Sequence, residues 1–180
     1  LSESMSKVRD AFLFACYTGL RYSDWSRLSK QHIISKGTYS VVSIIPEKTN
    51  SLAQKSIKRV EVPLLPEALE IIEKYNGQLK TLLPVMANQK INEYLKHIGM
   101  MAGIDDLIET VVYKNGKPSY NVQHKYTFLS SHIARHTYAT LSLMKGVPLE
   151  VLKRALGHSD IKVTMVYAKI VDEYKDRVIL

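Results

Sequence analysis

The sequence predicts a mainly α-helical domain with small β-hairpins, an α+β fold. Apolar residues recur at helical spacing in several segments, beginning with residues 4–17. Two runs rich in β-branched residues, 38–45 and 57–64, have the composition and alternation of strands. Asn115-Gly116 lies between two further runs and is typical of the tight turn of a hairpin. We therefore expect helices to form most of the core, with the hairpins added to it.

The first half of the chain begins with the helix at 4–17, for which Gly19 is placed as the C-cap. Ser23 is a candidate N-cap for a short helix that runs through Leu28. The two predicted strands follow, and the segment 46–56 between them is polar. These elements predict a hairpin whose loop carries two lysines.

The second half is predicted to be helical apart from one hairpin. Its helices and strands are expected at 66–75, 88–101 with Asn88 as N-cap, 107–113 paired with 117–124, 132–145 with Ser131 as N-cap, 148–156, and a last helix from about Asp160. The segment after Ile170 is charged and either continues that helix or forms a tail.

The composition favours a soluble protein with a polyanionic partner. The 180 residues suit one domain, and the net charge of +8 favours nucleic acid first and an acidic membrane surface second. Cys16 is the single cysteine, so an internal disulfide and a cysteine zinc cluster are excluded. No signal peptide or membrane-spanning apolar run is visible, which predicts a cytoplasmic protein. The first residue is not methionine, so we expect a piece of a longer chain.

The stretch 155–167 places a histidine and a tyrosine in a fixed order around a helix break. Gly157 is suited to end one helix in a left-handed conformation, and Asp160 to cap the next. His158 lies in the break, and Tyr167 about two turns into the last helix. Taken alone, this spacing also fits a tyrosine that only packs in the core.

Two further segments carry candidate charged residues. Arg21 lies at the turn between the first two helices, and Asp24 is close enough in sequence to accept a hydrogen bond from its guanidinium. Lys48 and Lys55 lie in the hairpin loop, where a basic loop is suited to contact DNA. Arg21 and the two lysines are also compatible with ordinary solvated positions on the surface.

The segment 131–140 admits two interpretations. His132 and His136 have metal-ligand spacing, but Ile133 stands where the zinc peptidase pattern needs glutamate, and no third ligand is evident nearby. His132 and Arg135 share a face near a helix N-terminus, which predicts an anion site. No glycine-rich phosphate loop or acidic cluster for two-metal chemistry is present. A side-chain nucleophile assisted by arginine is the remaining way to cleave a phosphodiester.

Three motifs together resemble the signature boxes of the tyrosine recombinases, the phage-integrase family. They are Thr18-Gly-Leu-Arg-Tyr-Ser-Asp-Trp25, His132-Ile-Ala-Arg-His136, and Leu156-Gly-His-Ser-Asp followed by Tyr167, in family order. The hairpin with Lys48 falls where the family keeps its catalytic lysine. The pattern is most similar to integrases of bacterial mobile elements, and the resemblance covers the whole chain as the family's catalytic-domain fold.

The resemblance implies a role for each matching residue. Tyr167 would attack a DNA phosphate and form a 3′-phosphotyrosyl bond, and Arg21 and Arg135 would bind the non-bridging oxygens. Lys48 would protonate the leaving 5′-oxygen; Lys55 is the alternative by position, and Lys48 fits the family's lysine-threonine context better. His132 would assist proton transfer at Tyr167, and His158 would hydrogen-bond the phosphate. Asp24 would support the first arginine, and His136 is usually structural in the family.

The same resemblance implies the partners and domain organisation. Residues 1–180 would be a single C-terminal catalytic domain, with the family's N-terminal core-binding domain absent from this chain. The partner would be double-stranded DNA at a recombination site, with no metal, no cofactor and no membrane. The isolated domain would be a monomer, and a homotetramer would form on DNA. An accessory DNA-bending protein is a further possible partner. The location would be the bacterial cytoplasm, with the protein associated with the nucleoid when it acts.

Two alternatives stay open at the level of the sequence. A type IB topoisomerase-like enzyme would use the same chemistry to nick and reseal DNA without strand exchange. A non-catalytic basic DNA-binding module would keep the charge and lose the chemistry. The complete set of six candidate catalytic residues argues against the second alternative.

Overall fold

The computed structural model describes residues 1–47, 59–114 and 116–179 of the chain. It confirms the mainly helical α+β fold. The helices are α1 (Glu3–Thr18), α2 (Tyr22–Trp25), α3 (Pro66–Lys74), α4 (Asn88–Met101), α5 (Ile133–Met144), α6 (Leu149–Leu156) and α7 (Ile161–Ile179). The strands are β1 (Ile33–Ser35), β2 (Ser40–Ile44), β3 (Val60–Pro63), β4 (Leu107–Lys114) and β5 (Lys117–His124).

The strands form two antiparallel sheets. In the first, β2 lies between β1 and β3, and Val42 of β2 is paired with both Ile33 and Val62. The predicted pairing of two strands is confirmed, whereas the three-residue β1 was not predicted because its apolar run is too short to show alternation. The second sheet is the β4–β5 ribbon, which is paired up to Lys114 and Lys117 as predicted. Asn115, which was predicted to form its turn, lies outside the described residues.

Helix α1 lies against α3, α4 and α5 and supplies part of the larger of two apolar cores. The smaller core joins α5, α6 and α7 and contains Leu152, Leu156 and Tyr167. Tyr138 of α5 packs against both cores. The position of this ring therefore links the packing of α1 to the packing of the C-terminal helices.

Asp10 ties α1 to α3 through a buried carboxylate that the sequence analysis did not single out. It accepts hydrogen bonds from Lys74 at 2.6 Å, from the Tyr75 hydroxyl at 2.8 Å and from Arg9 at 2.7 Å. Burial alone would raise the pKa of Asp10, but these three donors outweigh burial and hold its pKa below the ordinary value. The charged form of this carboxylate is therefore the one that the fold stabilises.

Two of the predicted glycine caps are confirmed, because Gly19 and Gly157 end α1 and α6 with φ of 68° and 65°. The Asp160 carboxylate accepts a hydrogen bond from the backbone N–H of Lys162 at 2.9 Å, as expected of a cap. Helix α7 continues past Ile170 to Ile179, so the charged C-terminal segment is helical.

Three predicted N-caps were wrong. Arg21, not Ser23, occupies the N-cap of α2. The Ser131 hydroxyl donates to the Asn88 side chain at 2.7 Å, so these two residues satisfy each other between α4 and the start of α5. Neither then caps its own helix. No helix among the described residues is long and apolar enough to cross a membrane.

We predict that Gly19→Ala lowers the free energy of unfolding by about 3 kcal/mol. A left-handed backbone and an overpacked contact each cost an L-residue roughly 1–2 kcal/mol, and the new Cβ would lie 2.5 Å from Cδ1 of Tyr138. Urea denaturation measures the loss. Gly146→Ala is the matched control, since its φ of 81° is also positive but nothing lies within 4 Å of the new Cβ. Equal losses in the two variants would contradict the role given to the Tyr138 contact.

Candidate active site

Arg135 lies at the centre of the candidate site. It is in the first turn of α5 and is 4% exposed. One guanidinium nitrogen, Nη1, donates to the backbone carbonyl of Gly19 at 2.9 Å, and Nη2 donates to the carbonyl of Leu156. Gly19 ends α1 and Leu156 ends α6. The guanidinium therefore joins the three sequence motifs, although Arg135 is 116 residues from Gly19 and 21 residues from Leu156 in the chain.

Arg21 adds a second positive charge close to Arg135. It is half-buried and has an extended backbone at the N-cap of α2. Burial lowers the pKa of Arg135 to about 10, and the charge of Arg21 contributes to the shift. Arg135 therefore remains charged at neutral pH. Two like charges that lie close together favour the binding of an anion between them.

Asp24 does not form the hydrogen bond to Arg21 that the sequence predicted. Its buried carboxylate accepts from Nη2 of Arg27 at 3.2 Å and from the backbone N–H of Glu47 at 3.0 Å. Arg27 lies one helical turn after Asp24, so the two share a face. The backbone of Arg21 is extended, and Arg21 occupies the N-cap of α2. Asp24 thus fixes the chain at the residue immediately before Lys48.

Lys48 and Lys55 lie outside the described residues. The described ends of their segment are held in the sheet, since β2 and β3 pair in antiparallel register. Arg59 also donates to the Ser43 hydroxyl, at 3.4 Å, across the same pair of strands. The described residues on either side of that segment therefore lie at the same end of one sheet.

His158 lies in the break between α6 and α7, as the sequence indicated. Its Nδ1 is 2.9 Å from the hydroxyl oxygen of Thr164, which is fully buried in α7. Burial lowers the pKa of His158 to about 4, and the charges of Arg135 and Arg21 add to the shift. The imidazole is therefore neutral at neutral pH beside two permanent cations.

Tyr167 lies in α7 with 7% of its surface exposed, packed in the smaller core. Its hydroxyl oxygen is 3.0 Å from Nδ1 of His136, whereas the sequence analysis had associated His132 with Tyr167. The His132 ring lies edge-on to the His136 ring, with centroids 4.7 Å apart. Burial and the charge of Arg135 lower the pKa of His136 below its ordinary value.

Two of these contacts were not predicted from the sequence. Thr164 was given no role, although it lies six residues after His158, across the start of α7. His136 was expected to be structural, as the resemblance implies. Its position one turn after His132 was the available signal, since both rings then lie on one face of α5.

The metal interpretation of His132 and His136 finds no third ligand. Among the described residues there is no group of three histidine, cysteine, aspartate or glutamate side chains arranged to hold a metal ion. The described geometry instead gathers two arginines, three histidines and a tyrosine around the ends of α1, α5, α6 and α7.

Comparison with known proteins matches residues 2–173 to the phage integrase family. The chain is 28% identical over 187 residues to the tyrosine recombinase XerD of Proteus mirabilis, covering 95% of this chain and 49% of that protein. It is 29% identical over 185 residues to the XerD of Yersinia pestis, covering 93% of this chain and 52% of that protein. The chain thus spans about half the length of the curated relatives that it matches.

Solved structures agree with the fold. The chain superposes on the XerH site-specific recombinase bound to palindromic difH substrate, with a TM-score of 0.66 at 16% identity, covering 99% of this chain and 46% of that one. It also superposes on the Tn1549 transposon integrase in complex with transposon right end DNA, with a TM-score of 0.59 at 16% identity, covering 90% and 54%. The family match over nearly the whole chain, on a fold that brings the three motifs to one guanidinium, leads to one conclusion: this chain belongs to the phage integrase family.

Proposed function

We propose that this chain is the catalytic part of a site-specific DNA recombinase that cleaves and rejoins strands through a covalent 3′-phosphotyrosine. The observation that carries the proposal is the position of the Tyr167 hydroxyl, which lies within hydrogen-bond distance of a histidine and close to the buried, charged Arg135. A nucleophile beside preorganised cations is the arrangement that phosphoryl transfer needs in the absence of a metal.

In this mechanism Tyr167 attacks the phosphorus and displaces the 5′-oxygen of the next nucleotide. Arg21 and Arg135 bind the non-bridging oxygens and offset the negative charge that grows in the transition state. His158 donates to one of these oxygens from Nε2, which carries the proton when Nδ1 accepts the Thr164 hydroxyl. His132 assists proton transfer near Tyr167. The phosphotyrosyl bond keeps the energy of the phosphodiester, so rejoining needs no external energy source.

Lys48 is proposed as the acid that protonates the leaving 5′-oxygen. The hydrogen bond from the Glu47 backbone to Asp24 supports this choice, because it anchors the preceding residue to the segment that carries Arg21. Lys55 lies seven residues further along the same segment and would contact the DNA backbone.

The proposed partner is double-stranded DNA at a recombination site. The net charge of +8 supports it, and so do structural neighbours that were solved on recombination-site DNA. We propose that the isolated domain is a monomer and that four copies assemble on two DNA sites, in the bacterial cytoplasm, with or without a DNA-bending protein. The longer protein would carry an N-terminal core-binding domain that completes the grip on DNA.

A type IB topoisomerase-like activity is the second candidate, since the same residues would serve it. This activity would relax a supercoiled plasmid that carries no recombination site. It would give no recombinant product. Recombinant product from a plasmid with two sites would exclude it.

We predict a covalent adduct between Tyr167 and DNA that forms in EDTA. The chain is mixed with nicked duplexes that carry candidate recombination sites, and adducts are separated on a denaturing gel. Tyr167→Phe should give none, because it lacks the nucleophilic oxygen and leaves the packed ring in place. If neither this chain nor a version extended at its N-terminus gives an adduct while both bind DNA, the protein is a binding module.

Lys48→Ala should slow cleavage by about 10²-fold, the usual contribution of a general acid. Lys55→Ala is the matched control and should change the cleavage rate by less than about threefold, because a backbone contact contributes to binding and not to proton transfer. Single-turnover rates at saturating enzyme measure both variants. Equal losses, or a larger loss for Lys55→Ala, would reverse the assignment.

Thr164→Val should slow adduct formation by about fivefold, since one hydrogen bond of about 1 kcal/mol orients His158. Valine matches threonine in shape, so the buried packing is kept. Thr164→Ser retains the hydroxyl and should retain most of the rate. A Thr164→Val variant that cleaves at the wild-type rate would remove Thr164 from the mechanism.

A further inference from the structure

The side chain of His136 contacts the reacting atom of Tyr167. Its Nδ1 lies 3.0 Å from the phenolic oxygen, with the two ring centroids 5.6 Å apart. The bond joins α5 to α7 and is not a contact between neighbours in sequence, since the residues are 31 positions apart. A histidine at this distance from a nucleophilic hydroxyl has the geometry of a general base.

We propose that His136 accepts the proton of the Tyr167 hydroxyl during cleavage and returns it during rejoining. This inference rests on the proposed function and names the residue that performs one step of it. The O–H bond of Tyr167 breaks, a bond from Nδ1 to that proton forms, and the phenolic oxygen bonds to phosphorus. The bond from phosphorus to the 5′-oxygen breaks, and that oxygen takes a proton from Lys48. One positive charge is lost at the lysine and one is gained at the histidine.

The surroundings of His136 keep it in the form that accepts a proton. Arg135 and His132 neighbour it on α5, and Tyr167 faces it from α7. Burial and the Arg135 charge both act against the imidazolium, so the pKa of His136 lies below its ordinary value of 6.5. In the tautomer that the proposal requires, the neutral imidazole carries its own proton on Nε2 and accepts at Nδ1.

His132 is the neighbour of His136 at the start of the same helix, α5. Its ring meets the His136 ring edge-on, with centroids 4.7 Å apart. Both histidines are exposed to solvent. A proton taken up by His136 can therefore pass to water or to the neighbouring ring, while the tyrosine itself stays packed in the smaller core.

The test compares His136→Asn with the wild type on nicked duplexes in single-turnover assays. Asparagine can hold the hydroxyl by a hydrogen bond but cannot accept its proton, so adduct formation should fall by about 10²-fold. DNA affinity should be unchanged, because His136 carries no charge in the resting state. His97→Asn, the same change at an exposed histidine of α4, is the matched control and should keep the full rate.

A second substrate separates the two proton transfers. A duplex with sulfur in place of the bridging 5′-oxygen has a leaving group that needs no proton, so it should restore cleavage by Lys48→Ala but not by His136→Asn. The proposal would be overturned if the cleavage rate of His136→Asn recovered on this substrate. It would also be overturned if His136→Asn cleaved the oxygen substrate at the wild-type rate. If the wild type itself forms no adduct that depends on Tyr167, the proposed function fails first.

The pH dependence of the wild type gives a measurement that needs no variant. Its rate should be level from about pH 6.5, the ordinary histidine pKa, through neutral pH, and should fall as the pH drops through the lowered pKa, where His136 becomes protonated. In His136→Ala, added imidazole should restore part of the rate, which a purely structural role would not allow. A wild-type rate that does not fall towards low pH, together with no rescue by imidazole, would also overturn the proposal.

Discussion

The guanidinium of Arg135 bonds to the last carbonyls of two helices, and the rest of the site depends on this contact. Gly19 and Leu156 are 137 residues apart in the chain, and each presents a main-chain oxygen to the guanidinium. An unsatisfied buried carbonyl costs about 1–3 kcal/mol. Arg135 satisfies both and in return is held rigidly, which is what a group that must meet developing negative charge requires.

The same cation sets the protonation of its neighbours. Burial and the charges of Arg135 and Arg21 lower the pKa of His158 to about 4, and the pKa of His136 is lowered by burial and by Arg135. The site therefore contains two permanent cations, Arg21 and Arg135, beside neutral imidazoles. The arginines are suited to hold a phosphate, and the histidines are suited to donate or accept hydrogen bonds and protons. Positive charge on every group would instead have made proton uptake unfavourable.

Asp24 extends this arrangement to the first sheet. It bonds to Arg27 and to the backbone of Glu47, and so connects α2 to the end of β2. Gly19, with its positive φ and its contact to Tyr138, fixes the other end of the same short stretch. The eight residues of the first motif are thus held at both ends by contacts with distant parts of the chain, and Arg21 lies between them.

The sequence by itself determined the helices, the hairpins, the two glycine caps and the identity of the motifs, because periodicity, left-handed glycines and residue order are local properties. It also predicted which residues would gather, since Arg135 and Tyr167 lie in motifs of characteristic spacing. Which partner each side chain takes was decided only by the tertiary structure. Asp24 bonds to the backbone of Glu47, Ser131 to Asn88, and the Tyr167 hydroxyl to His136. These partners depend on how α2 meets the end of β2 and on how α4, α5 and α7 pack. Spacing along one helix cannot distinguish His132 from His136; the approach of a second helix can.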